Sequence, residues 1–387
     1  MIREAIVVPL LFDGVALRPE MAVLIEGERI AAVGPSADIP SSFTITRPED
    51  AAFLAPGLID LQVNGGGGIL FNDALDRRGL AEIAAAHRAL GTSWFLPTVI
   101  SGSTREIAVA LKATRSAIAA GDSGILGLHV EGPFLNPRRR GIHPADAIRP
   151  LTDADVQLLT APFPGVLMLT LAPETVSDAA LRAFAEAGVI VMAGHSEAMP
   201  EQIAAALALG LVGFTHLFNA MPSIAARAPG PAGAALAGRA GFASVIVDGL
   251  HVHTALLQLA VAAKGTDRLF LVSDAMPTVG SATTSFRIGN TLVSLREGRL
   301  AGPDGTLGGA QLALAEAVRN THRLLGLPAA EALRMATATP AACVRRADLG
   351  AIRPGARADL ALFDASLTLL GTWHGGLFTP CDTTLRQ

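Results

Sequence analysis

Val189-Ile190-Val191-Met192-Ala193-Gly194-His195 is followed by a segment of helical period over residues 200–209, and then by Leu211-Val212-Gly213-Phe214-Thr215-His216. A short unbroken apolar run reads as a strand buried on both faces, and the helical segment as the crossover to the next such strand. Each run ends on a histidine. The same rhythm extends in both directions, with strand-like runs at 58–63, 94–99, 125–130, 166–171, 189–193, 211–215, 243–247 and 269–273. Helical stretches at 80–90, 104–120, 176–187, 200–209 and 254–263 separate most of them, and 311–325 and 329–338 follow the last. Eight βα units over roughly 290 residues predict an α/β protein built on a (β/α)8 TIM barrel, in preference to an open doubly wound sheet.

The two ends read differently. Ala22-Val23-Leu24-Ile25, the turn Glu26-Gly27-Glu28 and Arg29-Ile30-Ala31-Ala32-Val33-Gly34 predict a hairpin. Near the other end, Gly350-Ala351-Ile352, a Pro354-Gly355 turn and the run 358–363 repeat the pattern. Neither end can cover a sheet alone, so both are expected to form one small β-sandwich. The expected organisation is 1–54 and 346–387 as the two sandwich parts, with 55–345 as the barrel.

Composition narrows the function classes. Of 387 residues half are apolar and 17% charged, which excludes disorder. Net charge −4 gives no reason to expect nucleic acid as a partner. The longest apolar block, 203–214, is too short for a bilayer, which needs about 20 residues. Without a signal-peptide pattern at Met1-Ile2-Arg3-Glu4, a soluble cytoplasmic protein is expected. Cys343 and Cys381 are too few for a disulfide framework or a thiolate cluster.

In a barrel, chemistry sits where strands deliver side chains to the C-terminal face. The third run delivers Glu131, the fifth His195, the sixth His216 and the eighth Asp274. One carboxylate and two imidazoles suit a divalent ion, zinc first with iron, cobalt or manganese as alternatives, and leave a position for water. Asp274 is placed to take that water's proton and pass it to a leaving group. A helix or turn cap is the competing reading of Asp274, as a packed core residue is of a lone histidine. Gln62 and Asn64 stand where a second ion would need a His-x-His pair, and neither Lys112 nor Lys264 follows the fourth strand, so one ion per chain is expected.

The set Glu131, His195, His216 and Asp274 resembles the amidohydrolase superfamily, and within it the N-acetylglucosamine-6-phosphate deacetylases. Further motifs carry the likeness: His129-Val-Glu131-Gly-Pro-Phe-Leu-Asn136, Gly141-Ile142-His143-Pro144, Thr215-His216-Leu-Phe-Asn219-Ala220, Asp248-Gly-Leu-His251 and Leu307-Gly308-Gly309. The resemblance implies release of acetate from a phosphorylated amino sugar, with the galacto epimer or another amide as alternatives. By resemblance His143 faces the acetyl carbonyl, while Ile142, Asn219, Ala220, Asp248, His251, Leu307, Gly308 and Gly309 meet the sugar phosphate. Arg227 is expected to grip the phosphate, reaching into a neighbouring subunit of a homodimer; a solvated loop charge is the competing reading. Blander readings are preferred elsewhere. Asn64-Gly65-Gly66-Gly67-Gly68 lacks the ending of a P-loop and reads as a turn lining the pocket. Arg138-Arg139-Arg140 reads as a solvated loop beside His143, and His87, His253, His322 and His374 receive no role. His129 is expected only to support the ion's ligands. A catalytically dead scaffold is disfavoured because none of the four site residues is lost.

Overall fold

The computed structural model describes residues 3–122 and 124–381; residues 1–2 and 382–387 of the expected sandwich parts lie outside them. Eight parallel strands form the central sheet: Leu58–Val63, Thr92–Ile100, Gly127–Glu131, Val166–Leu171, Ile190–Ala193, Gly213–Phe214, Phe242–Val245 and Leu269–Leu271. They neighbour one another in chain order. A parallel bridge from Val63 to Ala275, with Asn64 N–H and Gly65 N–H donating to Ala275 O at 2.9 and 3.0 Å, joins the first strand to the segment after the eighth. The sheet therefore closes into the predicted barrel. Its strands are buried almost without interruption, as a sheet covered by helices requires.

The crossover helices begin on caps legible in the sequence. Asp76 accepts from Gly79 N–H ahead of Arg77–Ala89, and Ser103 with Glu106 forms a capping box ahead of Thr104–Ala119. Two helices carry too little amphipathic pattern to be read in advance. Asp153–Thr160 spans only eight residues, and Gly230–Ala237 is nearly all Gly and Ala behind a Pro. The second is anchored from outside by Lys264, fully buried, whose Nζ donates to the carbonyls of Ala235, Gly238 and Ala240 at 3.1–3.3 Å.

Both chain ends build the sandwich. Leu360–Phe363 pairs antiparallel with Phe53–Pro56, which pairs with Leu10–Phe12, so strands from opposite termini share one sheet of six. A second sheet of four holds the hairpin Met21–Glu26 and Arg29–Pro35. Between the sheets lies a separate core of Ile6, Val23, Ile25, Leu54, Leu360, Leu362 and Trp373. Gly350-Ala351-Ile352 is not a strand, although Ile352 joins that core. A further three-stranded sheet, Ser285–Ile288, Thr291–Arg296 and Arg299–Ala301, follows the eighth strand. It packs Ile288, Val293 and Leu300 against Ile100, Ile142 and Met276.

Candidate active site

The four residues singled out at strand ends converge. Glu131 Oε1 lies 3.1 Å from His195 Nε2 and 2.9 Å from His216 Nε2, and the two ring nitrogens are 3.1 Å apart. All three side chains are buried. Three donors bound tetrahedrally at about 2.0–2.1 Å stand about 3.3 Å from one another, close to the spacing seen. Two imidazole lone pairs facing one carboxylate oxygen at this range repel unless a proton or a cation lies between them. His195 Nδ1 is within 2.8 Å of the Arg139 carbonyl, which accepts a hydrogen bond from it, so the neutral ring keeps Nε2 bare for an ion. His216 Nδ1 is buried without a partner, and only occupation of Nε2 would fix its tautomer. The donor set therefore fits a divalent cation. Burial works against the charge on Glu131, but where protons rather than an ion sit on the two Nε2 atoms, their hydrogen bonds hold its carboxyl well below the usual range.

Backbone strain marks the same positions. His195, His216 and Asp274 adopt φ of 50°, 32° and 51°, a left-handed conformation that costs a non-glycine residue about 1–3 kcal/mol. Each residue sits just past the end of a barrel strand, where the chain turns. His216 is held in that turn by its N–H donating to Ser244 Oγ at 2.7 Å.

Asp274 stands beside the cluster. Its Oδ1 accepts from Asn64 Nδ2 at 2.6 Å and Gln62 Nε2 at 3.0 Å, and Gln62 Nε2 is also 3.2 Å from Glu131 Oε1. Burial first, and the Glu131 charge second, push the Asp274 carboxyl up to about 6. On the opposite side, His143 Nδ1 accepts from Ser101 N–H at 3.3 Å and lies 2.8 Å from Ser101 Oγ. The proton of the neutral ring therefore sits on Nε2. Burial and the neighbouring His195 push His143 down to about 3, so this ring is neutral at pH 7 and can donate to a carbonyl.

These groups open on a cavity of about 260 Å³. Its wall includes Asn64, Glu131, Ile142, His143, His195, His216, Asn219, Ala220, His251, Asp274, Leu307 and Gly309. Asp248 stands behind the wall, its Oδ2 2.5 Å from His251 Nδ1, and Gly308 packs against Ile142. Asn219 spends its backbone N–H on His216 O at 2.9 Å, so that donor serves the loop. Arg227 is exposed on a turn closed by Ala225 and Ala228 and does not line the cavity of its own chain.

Other expectations shift. Gly65 and Gly66 pair with Ile69 and Leu70 in a small hairpin; an added Cβ would meet Ile69 O at Gly65 and the His87 ring at Gly66, so close packing explains the glycines. Of the run, only Asn64 reaches the cavity. The triple arginine is not simply solvated: Arg138 and Arg139 pair with Glu197, and Arg140 Nη1 donates to the His143 carbonyl at 2.9 Å. His129 lies inside the barrel between Thr98 and Thr170 and does not bond Glu131. Sequence reasoning missed Ser101, which orients His143, and the wall residues Ile100, Met276 and Thr306. Ser101 follows the second strand directly, so its place at a strand end was an available signal.

The amidohydrolase family model matches residues 53–381, and an imidazolonepropionase-like composite domain matches residues 22–43. The N-acetylgalactosamine-6-phosphate deacetylase of Shewanella sp. strain ANA-3 is 38% identical over 347 residues, 89% of this chain and 88% of that protein. The N-acetylglucosamine-6-phosphate deacetylase of Haemophilus influenzae is 33% identical over 361 residues, 92% of this chain and 94% of that one. Among solved structures, the N-acetylglucosamine-6-phosphate deacetylase of Pasteurella multocida superposes with a TM-score of 0.93 at 32% identity, over 98% of this chain and 100% of its own. A mutant enzyme from Mycobacterium smegmatis in complex with N-acetyl-D-glucosamine-6-phosphate gives 0.91 at 29% identity, over 98% and 99%. With a family model covering most of its length and relatives of this similarity, the chain belongs to the amidohydrolase family.

Proposed function

We propose that this protein hydrolyses the acetamide of N-acetylglucosamine 6-phosphate to glucosamine 6-phosphate and acetate. The observation that carries the reading is the convergence of Glu131, His195 and His216 beside Asp274 at one end of the barrel, in a chain with deacetylases among its relatives. The proposed ion is one zinc per chain, held by that carboxylate and two imidazoles; when bound it activates a water and polarises the amide carbonyl. His143 donates its Nε2 proton toward the acetyl oxygen as charge builds there. Asp274 takes a proton from the attacking water and delivers it to the amide nitrogen, which then leaves as the amine. Ionised Asp274 starts the cycle and is regenerated when that proton departs.

The sugar phosphate is assigned to the part of the cavity bordered by Asn219, Ala220 and His251. Among the described residues no Arg or Lys lines the cavity, and none of them gives a phosphate dianion a cationic partner there. Arg227, projecting from an exposed turn beside exposed Ile224, is proposed to supply that charge to the site of a second copy in a homodimer. A doubly charged substrate does not cross a bilayer unaided, which fits a cytoplasmic enzyme. No helix among the described residues is long and apolar enough to cross a membrane.

One observation favours a second reading, the galacto epimer: the Shewanella relative at 38% identity carries that name. Acetate release from N-acetylglucosamine and N-acetylgalactosamine, each with and without 6-phosphate, tests both. The proposal predicts the highest kcat/KM on the gluco 6-phosphate. A preference for the galacto ester selects the second reading, and no turnover of either ester ends both.

A further inference from the structure

Asp60, Gln62 and Asn64 alternate along the first barrel strand and its end, so all three side chains project to the same inner face. Each is buried to within 1% of complete. Gln62 and Asn64 both spend an amide N–H on Asp274, and both bonds fall on the same oxygen, Oδ1. The opposite ends of the two amides tell the rest: Gln62 Oε1 and Asn64 Oδ1 are buried without a partner. An unpaired buried acceptor costs stability, so these amides serve the fold poorly. They are arranged for their donors.

We propose that Asn64 and Gln62 are positioning residues for Asp274, fixing Oδ1 with two neutral donors so that Oδ2 alone is presented to the reactants. A carboxylate that must first accept a proton and then release it to a nitrogen works through one oxygen held at one angle. A free carboxyl at the end of a strand rotates about χ2 and offers either oxygen. Two bonds to Oδ1 remove that rotation. Backbone contacts hold the two elements in register, with Asp274 N–H donating to Gln62 O at 3.1 Å and Asn64 N–H to Ala275 O at 2.9 Å. Gln62 adds a link to the ion-holding carboxylate, because the same Nε2 lies within reach of Glu131 Oε1. Neutral amides hold Asp274 in place without the added charge of a second cation. The inference rests on Asp274 being the proton carrier in the reaction proposed above.

Asn64→Leu and Gln62→Met keep the volumes and remove the donors. Each is expected to lower kcat about 10- to 100-fold, the usual loss when a partner of a site residue is removed. KM should stay within about threefold and ion content per chain should be unchanged. A thermal cycle reads the same pairing with no substrate present. Asn64→Leu should lower Tm in the wild-type background, where it takes away one of the two donors to a buried carboxylate oxygen, and should leave Tm unchanged or higher when combined with Asp274→Ala. A kcat within twofold of wild type for both variants overturns the proposal. So does a fall in kcat matched by loss of the ion, or the same Tm change in both backgrounds. Should Asn64→Leu not fold, Gln62→Met carries the same measurements. Because the thermal cycle needs no substrate, an enzyme inactive on every hexosamine ester would refute the functional reading while the pairing was still decided by Tm.

Discussion

Replacing Asp274 by asparagine changes one atom and should remove most of the activity. Gln62 Nε2 and Asn64 Nδ2 both donate to Oδ1, so the new amide is forced to place its carbonyl oxygen there and its NH2 where Oδ2 stood. That NH2 has no lone pair to take a proton and is a poor acid. General acid–base catalysis contributes about 10²–10⁴-fold, and Asp274 acts in both halves of the cycle, so the upper part of the range applies. A loss of 10³–10⁴ in kcat corresponds to about 4–5.5 kcal/mol at 1.36 kcal/mol per tenfold. In the ion-free protein stability should hold or rise, because burial and Glu131 push the carboxyl up to about 6, which means its charge is unfavourable there. A bound cation lowers that value, so the acid limb of the wild-type kcat profile should lie at or below pH 6 and be missing from the residual activity of the variant. The assay is acetate release at saturating ester, with ion content and Tm measured on the same preparation. A variant within tenfold of wild type at full ion occupancy would refute the proton-carrier role.

Three further outcomes follow from the site. Arg227→Ala should raise KM for the 6-phosphate ester about tenfold or more and leave activity on the unphosphorylated sugar unchanged; equal losses on both would remove the phosphate grip. Ser101→Ala removes the hydroxyl beside His143 Nδ1 and should lower kcat about tenfold, with KM nearly constant, in the same acetate assay; a change confined to KM would show that the ring only packs against substrate. Asp60 is fully buried, which pushes its carboxyl up to about 7, above the ordinary 3.8 of an unfolded chain. Its contribution to stability is therefore full below about pH 3.8 and is lost as pH rises through 7. Tm should fall between pH 5 and pH 8 more steeply in the wild type than in Asp60→Asn, and equal slopes would contradict the assignment.

The barrel and the three residues that could hold an ion were legible in the sequence because both depend on local pattern. Continuous apolar runs ending in His or Glu show strand, direction and strand end at once. The helix Gly230–Ala237 was hidden because Gly and Ala leave no polar face to set against an apolar one. The sheet from Ser285 to Ala301 packs on the cavity-wall residues Ile100, Ile142 and Met276, yet its strands have one exposed side and short length, and contacts distant in sequence decide where it packs. In the sequence Asn64 and Gln62 show only as residues standing in place of histidines; their bonds to Asp274 depend on barrel closure joining residues about 210 positions apart. The proton on His143 Nε2 likewise depends on Ser101, 42 positions away. Chemistry of residue types is written locally; orientation of those residues is not.

The most direct test is a crystal structure of the ion-loaded protein with anomalous data collected across the zinc absorption edge. The account predicts one peak per chain, about 2.0–2.2 Å from a Glu131 carboxylate oxygen and from Nε2 of both His195 and His216, with Asp274 Oδ2 facing the remaining position. A peak elsewhere, a second ion at Gln62 and Asn64, or side chains turned away from a common centre would contradict it.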